Sequence, residues 1–368
     1  MVVEDGVISA IGSQAGMELA GGDAVDFGDA ALAPAYFDQH IHGCGGFDVM
    51  QASESALSGI GRFLALHGVA GYLATTVTAS VEATLTSLSG LAKLIVRSRP
   101  GEAVPVGIHL EGPFLSHEKR GVHSPELLLA PTVSLFNRFW EAAEGQIRLM
   151  TIAPELPNAE EVIVHASRMG VRVSIGHSNA TAEVAKAGIA AGAVSATHTF
   201  NAMRSFGQRE PGILGVVLDE GEVYAEIICD GFHVDPIAVR LLWKAKGAER
   251  AILITDGISA TGRPDGTYKL GNLDVEVVGG RCTHRDEEGV VAIAGSTLTL
   301  DRAVRNFREF TGAGLGEVVG LAGRNPARML GLEERFGSLA VGRRADFVVL
   351  GEDGALRETV LGGELLAK

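Results

Sequence analysis

The sequence predicts an α/β fold: a (β/α)8 barrel of the TIM type with a small β-sandwich domain built from both chain termini. Three observations predict it. Short apolar runs recur eight times between Tyr36 and Asp256, several ending abruptly in polar residues. Helix-length segments with apolar spacing of three and four separate most of them, and hairpin patterns replace this alternation at the two ends of the chain. Alternating strands and helices call for a parallel sheet, and eight is the number that closes it into a barrel.

In chain order, Val2-Val3, Asp5-Gly6 and Val7 to Ile11 read as a hairpin around the favoured Asp-Gly turn. The chain starts almost inside this strand, so the terminal domain is expected to be short there. The barrel runs are Tyr36–His42, Tyr72–Thr78, Val104–Glu111, Ile147–Ala153, Val171–His177, Ala193–His198, Val223–Asp230 and Ala251–Asp256. Their β-branched residues and Gly or Pro punctuation favour strands over short helices. Helix patterns cover Glu54–His67, Glu82–Val96, Ala159–Met169 and Asp235–Lys246. After the sixth run the helix signal is missing, and Asn201–Leu214 reads as a long loop, a feature often functional in compact domains.

Beyond the eighth run, Leu273, Val275 and Val277 alternate with Asp274 and Glu276 beside a Gly271-Asn272 turn, predicting an inserted hairpin over Tyr268–Thr283. Asp346–Leu350 and Thr359–Leu361 flank a turn at Gly351–Gly354. Residues 1–33 and 334–368 are therefore expected to form the small β domain, with 34–333 as the barrel.

Composition narrows the function. With 46% hydrophobic and 21% charged residues among 368, the chain resembles an ordinary globular protein with a large core. It shows neither an apolar stretch of membrane-spanning length nor a signal-peptide pattern, so a cytoplasmic location is expected. A net charge of −14 disfavours nonspecific binding to nucleic acid or membrane, both anionic. Cys44, Cys229 and Cys282 are scattered without C-x-x-C spacing and read as reduced thiols, not as a disulfide framework or thiolate zinc cluster.

The chemistry lies at the strand ends. In Asp38-Gln39-His40-Ile41-His42 the strand alternation puts His40 and His42 on one face, a natural clamp for a divalent metal such as zinc, iron or nickel. The third run ends on Glu111, the fifth on His177, the sixth on His198 and the eighth on Asp256. Each residue alone is as well explained by packing or capping. Together they place metal-type ligands at the same end of five strands, and in a barrel those ends converge on the active-site face.

The series His-x-His, Glu111-Gly-Pro-Phe, Gly-His177-Ser, Thr-His198-x-Phe-Asn-Ala-Met and Thr-Asp256-Gly resembles the N-acetylglucosamine-6-phosphate deacetylases of the amidohydrolase superfamily. The resemblance extends to Arg120-Gly-Val-His123, Arg209-Glu-Pro-Gly, Asp230-Gly-Phe-His233, Ala294-Gly-Ser-Thr and Gly342-Arg-Arg-Ala-Asp346. Ala35 departs from it, standing where the family usually has glycine. The resemblance implies that Glu111, His177 and His198 bind a principal divalent metal, zinc or iron, with Asp256 as acid and base. His40 and His42 would hold a second ion, giving one or two per subunit. His123 is assigned to the substrate carbonyl oxygen, and Asn201, Ala202, Arg209 and His233 to the sugar phosphate, with Arg209 serving its own or a neighbouring subunit of a homodimer.

The implied reaction is hydrolysis of the acetamide of N-acetylglucosamine 6-phosphate. Alternatives are the galactosamine epimer and a catalytically silent assembly protein, although such proteins typically lose ligands. A dihydroorotase-like or allantoinase-like enzyme would need a lysine at the end of the fourth strand, where this chain has Ala153-Pro154-Glu155.

Overall fold

The computed structural model describes residues 1–13, 22–97, 99–286 and 289–367; residues 14–21 of the expected terminal domain lie outside them. Eight parallel strands form the central sheet: β1 (Tyr36–Ile41), β2 (Val69–Thr76), β3 (Val104–Glu111), β4 (Ile147–Ile152), β5 (Arg172–Ile175), β6 (Ala193–Ala196), β7 (Tyr224–Ile228) and β8 (Ala251–Ile254). Each strand pairs with its neighbour in sequence. The ends of β1 and β8 close the ring: the Asp256 N–H donates to the His40 carbonyl at 2.9 Å and the His42 N–H to the Gly257 carbonyl at 2.8 Å. Strands covered on both faces are mostly apolar, and all of β1, β2, β3, β7 and β8 is buried, including the polar residues Asp38, Gln39, His40 and Glu226 that face the barrel mouth.

Helices α1 (Glu54–Leu66), α2 (Val81–Ile95), α3 (Val133–Ala142), α4 (Ala159–Arg168), α5 (Ala182–Ala190), α6 (Gly212–Asp219), α7 (Pro236–Arg250) and α8 (Leu300–Thr311) follow the eight strands. Ser53, Ser80, Thr132, Thr181 and Asp235 start five of them by accepting a backbone N–H of the first turn. One expectation is corrected and one is extended. The segment read as a helix-free loop ends in α6, whose Gly212–Val217 are all buried; with no polar face there is no helical periodicity to read. The predicted hairpin is part of a four-stranded antiparallel sheet of Gly266–Leu270, Leu273–Val278, Arg281–Arg285 and Val291–Ile293. Leu270, Val275, Val277 and Cys282 of this sheet pack with Val77 and Ile258 from the loops after β2 and β8.

At the chain ends, Val2–Glu4 and Val7–Ala10 form the expected hairpin. Asp5 and Gly6 have φ of 50° and 77°, the pair of left-handed residues that a type I′ turn requires. A Cβ on Gly6 would also lie 2.8 Å from the Gly362 carbonyl oxygen. A second antiparallel sheet runs Glu364–Leu365, Leu356–Leu361, Phe347–Leu350, Ala31–Pro34, joining the two termini.

Candidate metal centre

Six of the residues expected to carry chemistry, His40, His42, Glu111, His177, His198 and Asp256, meet at the C-terminal mouth of the barrel. His40 in β1 and His42, the residue after its end, have ring centroids 5.4 Å apart. Glu111 is the last residue of β3, while His177, His198 and Asp256 each lie two residues beyond the ends of β5, β6 and β8. These last three adopt left-handed backbone, with φ of 46°, 29° and 50°. For residues other than glycine this costs about 1–3 kcal/mol each and persists only where the surroundings impose it. Here they do: the N–H of Ser178 donates to the Ala202 carbonyl at 3.0 Å, that of Thr199 to the Glu226 carbonyl at 2.8 Å, and that of Ser296 to the Asp256 carbonyl at 2.8 Å.

Hydrogen bonds at the far side of the rings set what they offer inward. His42 Nδ1 lies 3.2 Å from the Thr75 carbonyl and His177 Nδ1 2.9 Å from the Lys119 carbonyl. A carbonyl can only accept, so both Nδ1 atoms carry the proton and both Nε2 atoms can present lone pairs. His40 Nδ1 faces Glu226 Oε2 at 3.1 Å with the same result. Inside, His40 Nε2 is 3.4 Å from Glu111 Oε1, and His42 Nε2 is 3.1 Å from Glu111 Oε2 and 3.2 Å from Asp256 Oδ1. His198 Nε2 is 3.3 Å from Glu111 Oε1 and 3.0 Å from His177 Nε2. Buried His40 Nε2 and Glu111 Oε1 have no hydrogen-bond partner. Acceptors gathered this closely need a cation or protons between them.

Two donor sets fit that need: His40, His42 and Asp256, and Glu111, His177 and His198, the atoms of each within 4.8 Å of one another. Imidazole and carboxylate suit a divalent transition metal. Protons compete for the same lone pairs. Burial alone would lower the pKa of His42, but the Asp256 and Glu111 carboxylates push it up to about 9. Burial would raise that of Glu111, yet the His40, His177 and His198 rings hold it well below the usual carboxylate range. A metal bound here would therefore displace protons.

Three supporting residues escaped sequence reasoning. Glu226, fully buried in the middle of apolar β7, bonds Gln39, His40 and the His198 N–H. Asp38 accepts from the Thr255 hydroxyl at 2.6 Å, and burial pushes its pKa up to about 7 against that bond. His109 begins a buried chain through Thr151 and Thr197 to Ser174, with links of 2.8, 2.8 and 2.7 Å. Signals for all three existed: a charge inside an apolar run for Glu226, and positions 38 and 109 on the same strand faces as the ligands.

His123 is buried, its ring centroid 4.8 Å from that of His177. Its Nδ1 lies 2.7 Å from the Thr78 hydroxyl, and burial, reinforced by His177, lowers its pKa to about 3, so the ring is neutral. Gly112 makes this pairing possible, since its φ is 85° and a Cβ there would meet the Thr78 hydroxyl at 2.0 Å. In the loop after β6, the Asn201 N–H and side-chain amide both donate to the His198 carbonyl, at 3.0 and 3.1 Å. Its N–H is thus already engaged. Ala202 has a left-handed φ of 49°, and Arg209 is exposed on the loop. Glu210, next to Arg209 in the chain, accepts the N–H groups of Ala182 and Gly212. His233 is oriented by Asp230 at 2.7 Å. Glu155 takes the Ser178 hydroxyl at 2.7 Å and the Asn179 N–H, bracing the turn after His177. Cys44 is buried in the core.

Residues 31–366 match the profile of the amidohydrolase family. A curated relative from Escherichia coli O157:H7, an N-acetylgalactosamine-6-phosphate deacetylase, is 37% identical over 91% of this chain and 87% of its own length. An N-acetylglucosamine-6-phosphate deacetylase from Vibrio furnissii is 35% identical over 99% and 90%. Among solved structures, a mutant N-acetyl-D-glucosamine-6-phosphate deacetylase from Mycobacterium smegmatis in complex with N-acetyl-D-glucosamine 6-phosphate superposes with a TM-score of 0.91 at 37% identity, covering 99% of this chain and 93% of that one. The chain belongs to the amidohydrolase family, in its branch of N-acetylglucosamine-6-phosphate deacetylases.

Proposed function

We propose that the chain removes the acetyl group from N-acetylglucosamine 6-phosphate, giving glucosamine 6-phosphate and acetate. The observation that carries this reading is the convergence of six metal-type donors from five strand ends around lone pairs that lack donors. Glu111, His177 and His198 would hold the principal zinc or iron ion, and His40 and His42 a second. A divalent cation there supplies an acidified water and a polarised acyl carbonyl. Asp256 accepts the proton of the attacking water and delivers it to the leaving nitrogen, without which an amine leaves poorly. The Thr78 hydroxyl can donate to Nδ1 of neutral His123, and in that tautomer the ring would carry its proton on Nε2 and offer it to the acyl oxygen as charge develops.

Phosphate recognition falls to Arg209, His233, the Asn201 side chain and the Ala202 N–H. The exposure of Arg209 is compatible with service to its own site or to that of a neighbouring subunit in a cytoplasmic homodimer. Charge-assisted hydrogen bonds are worth roughly 1.5–3 kcal/mol, so Arg209→Ala is expected to lower kcat/KM for the 6-phosphate about 10- to 100-fold. The slow reaction of the unphosphorylated sugar should barely change, and equal losses on both would assign the arginine to loop structure instead.

The decisive assay measures acetate release from the 6-phosphates of N-acetylglucosamine and N-acetylgalactosamine, with metal content determined on the same sample. Faster turnover of the glucosamine compound is expected. The galactosamine epimer is the second reading, favoured by the name of the Escherichia coli relative. A metal-replete protein inert toward both would sink the proposal.

A further inference from the structure

Building on the two donor sets as metal sites, we propose that Glu226 is a positioning residue shared between them, tying His40 of one set to His198 of the other. Its Oε2 accepts from His40 Nδ1 and from the backbone N–H of His198, both at 3.1 Å. Its Oε1 accepts from Gln39 Nε2 at 2.6 Å, and its carbonyl from the Thr199 N–H at 2.8 Å. The rest of β7 is apolar, so this buried charge is matched to its polar partners at the barrel mouth and not to packing within the strand.

What the carboxylate does is local. It fixes the proton of His40 on Nδ1, turns the Nε2 lone pair toward Glu111 and Asp256, and raises the basicity of that nitrogen. At His198 it holds only the backbone, where φ is 29°, so it sets position there without acting on the ring electronically. Loss of the charge should therefore weaken the His40 set selectively.

Glu226→Gln isolates that charge. The glutamine oxygen can still accept from His40 and His198, while its NH2 faces Gln39. Gln39 can rotate its amide to present Oε1, a buried oxygen with no hydrogen-bond partner.

The test titrates metal-stripped protein with Co2+, followed by visible absorption and calorimetry. A variant carrying His40→Asn and His42→Asn supplies the spectrum of the ion at Glu111, His177 and His198 alone. Wild type should take up two equivalents. E226Q should bind the ion of the His40 set about 10- to 100-fold more weakly, with the other affinity and the unfolding midpoint of the stripped protein unchanged. If E226Q does not fold, E226D reads the same quantity, since it withdraws the charge from Nδ1 and should weaken the same ion. Unchanged affinities, or equal losses at both sites, overturn the role of Glu226 while leaving the two-site reading intact. Wild type that binds fewer than two ions overturns the two-site reading itself.

Discussion

Replacing Glu111 by glutamine is expected to empty the site it shares with His177 and His198 and to lower turnover by more than the about 10²–10⁴-fold that loss of one proton-transfer group costs. This carboxylate faces four imidazoles, with Oε1 3.4, 3.5 and 3.3 Å from the Nε2 atoms of His40, His177 and His198 and Oε2 3.1 Å from that of His42. Glutamine removes the anion and puts an NH2 donor among these lone pairs. The amide can then hydrogen-bond the nitrogens a metal needs, so the substitution both weakens the site and stabilises its empty form. Elemental analysis of purified protein, paired with acetate release, checks this. Wild-type metal content together with wild-type turnover would remove Glu111 from the ligand set.

Much of the architecture was legible because the chemistry sits where the apolar runs stop. The observed β3 coincides with its predicted span, since a proline and the Glu-Gly-Pro ending punctuate it on both sides. The apolar pattern starts β2 at Tyr72, three residues after its observed start at Val69, since Gly71 interrupts it; in the fold that glycine leaves room for the ring of Phe336, 2.7 Å from where its Cβ would be. Helix α6 was invisible for the opposite reason, its buried residues offering no polar contrast. The candidate ligands can be read from strand position, but their orientation cannot. That depends on Lys119 and Thr75 carbonyls and on Glu226, groups remote in sequence whose hydrogen bonds exist only once the barrel closes.

Asp256→Asn is expected to leave the fold and the ion at Glu111, His177 and His198 in place, while turnover falls about 10²–10⁴-fold. Position 256 is held by its backbone, with its N–H on the His40 carbonyl at 2.9 Å and its carbonyl taking the Ser296 N–H at 2.8 Å, so the side chain can change without moving the loop. Burial would by itself raise the pKa of this carboxyl, but the His42 hydrogen bond and the His40 charge hold it well below the usual range, leaving it ionised and able to accept a proton. Asparagine keeps the shape and an acceptor oxygen but cannot take up a proton and hand it to the leaving nitrogen. Substrate affinity, approximated by KM, should then stay within a few-fold of wild type as kcat collapses. The same carboxylate stands 3.2 Å from His42 Nε2 and belongs geometrically to the second donor set. Metal analysis of the variant separates its two duties. A fall in kcat with the second ion retained identifies proton transfer, a fall that tracks loss of that ion identifies ligation, and near-wild-type turnover removes Asp256 from the mechanism.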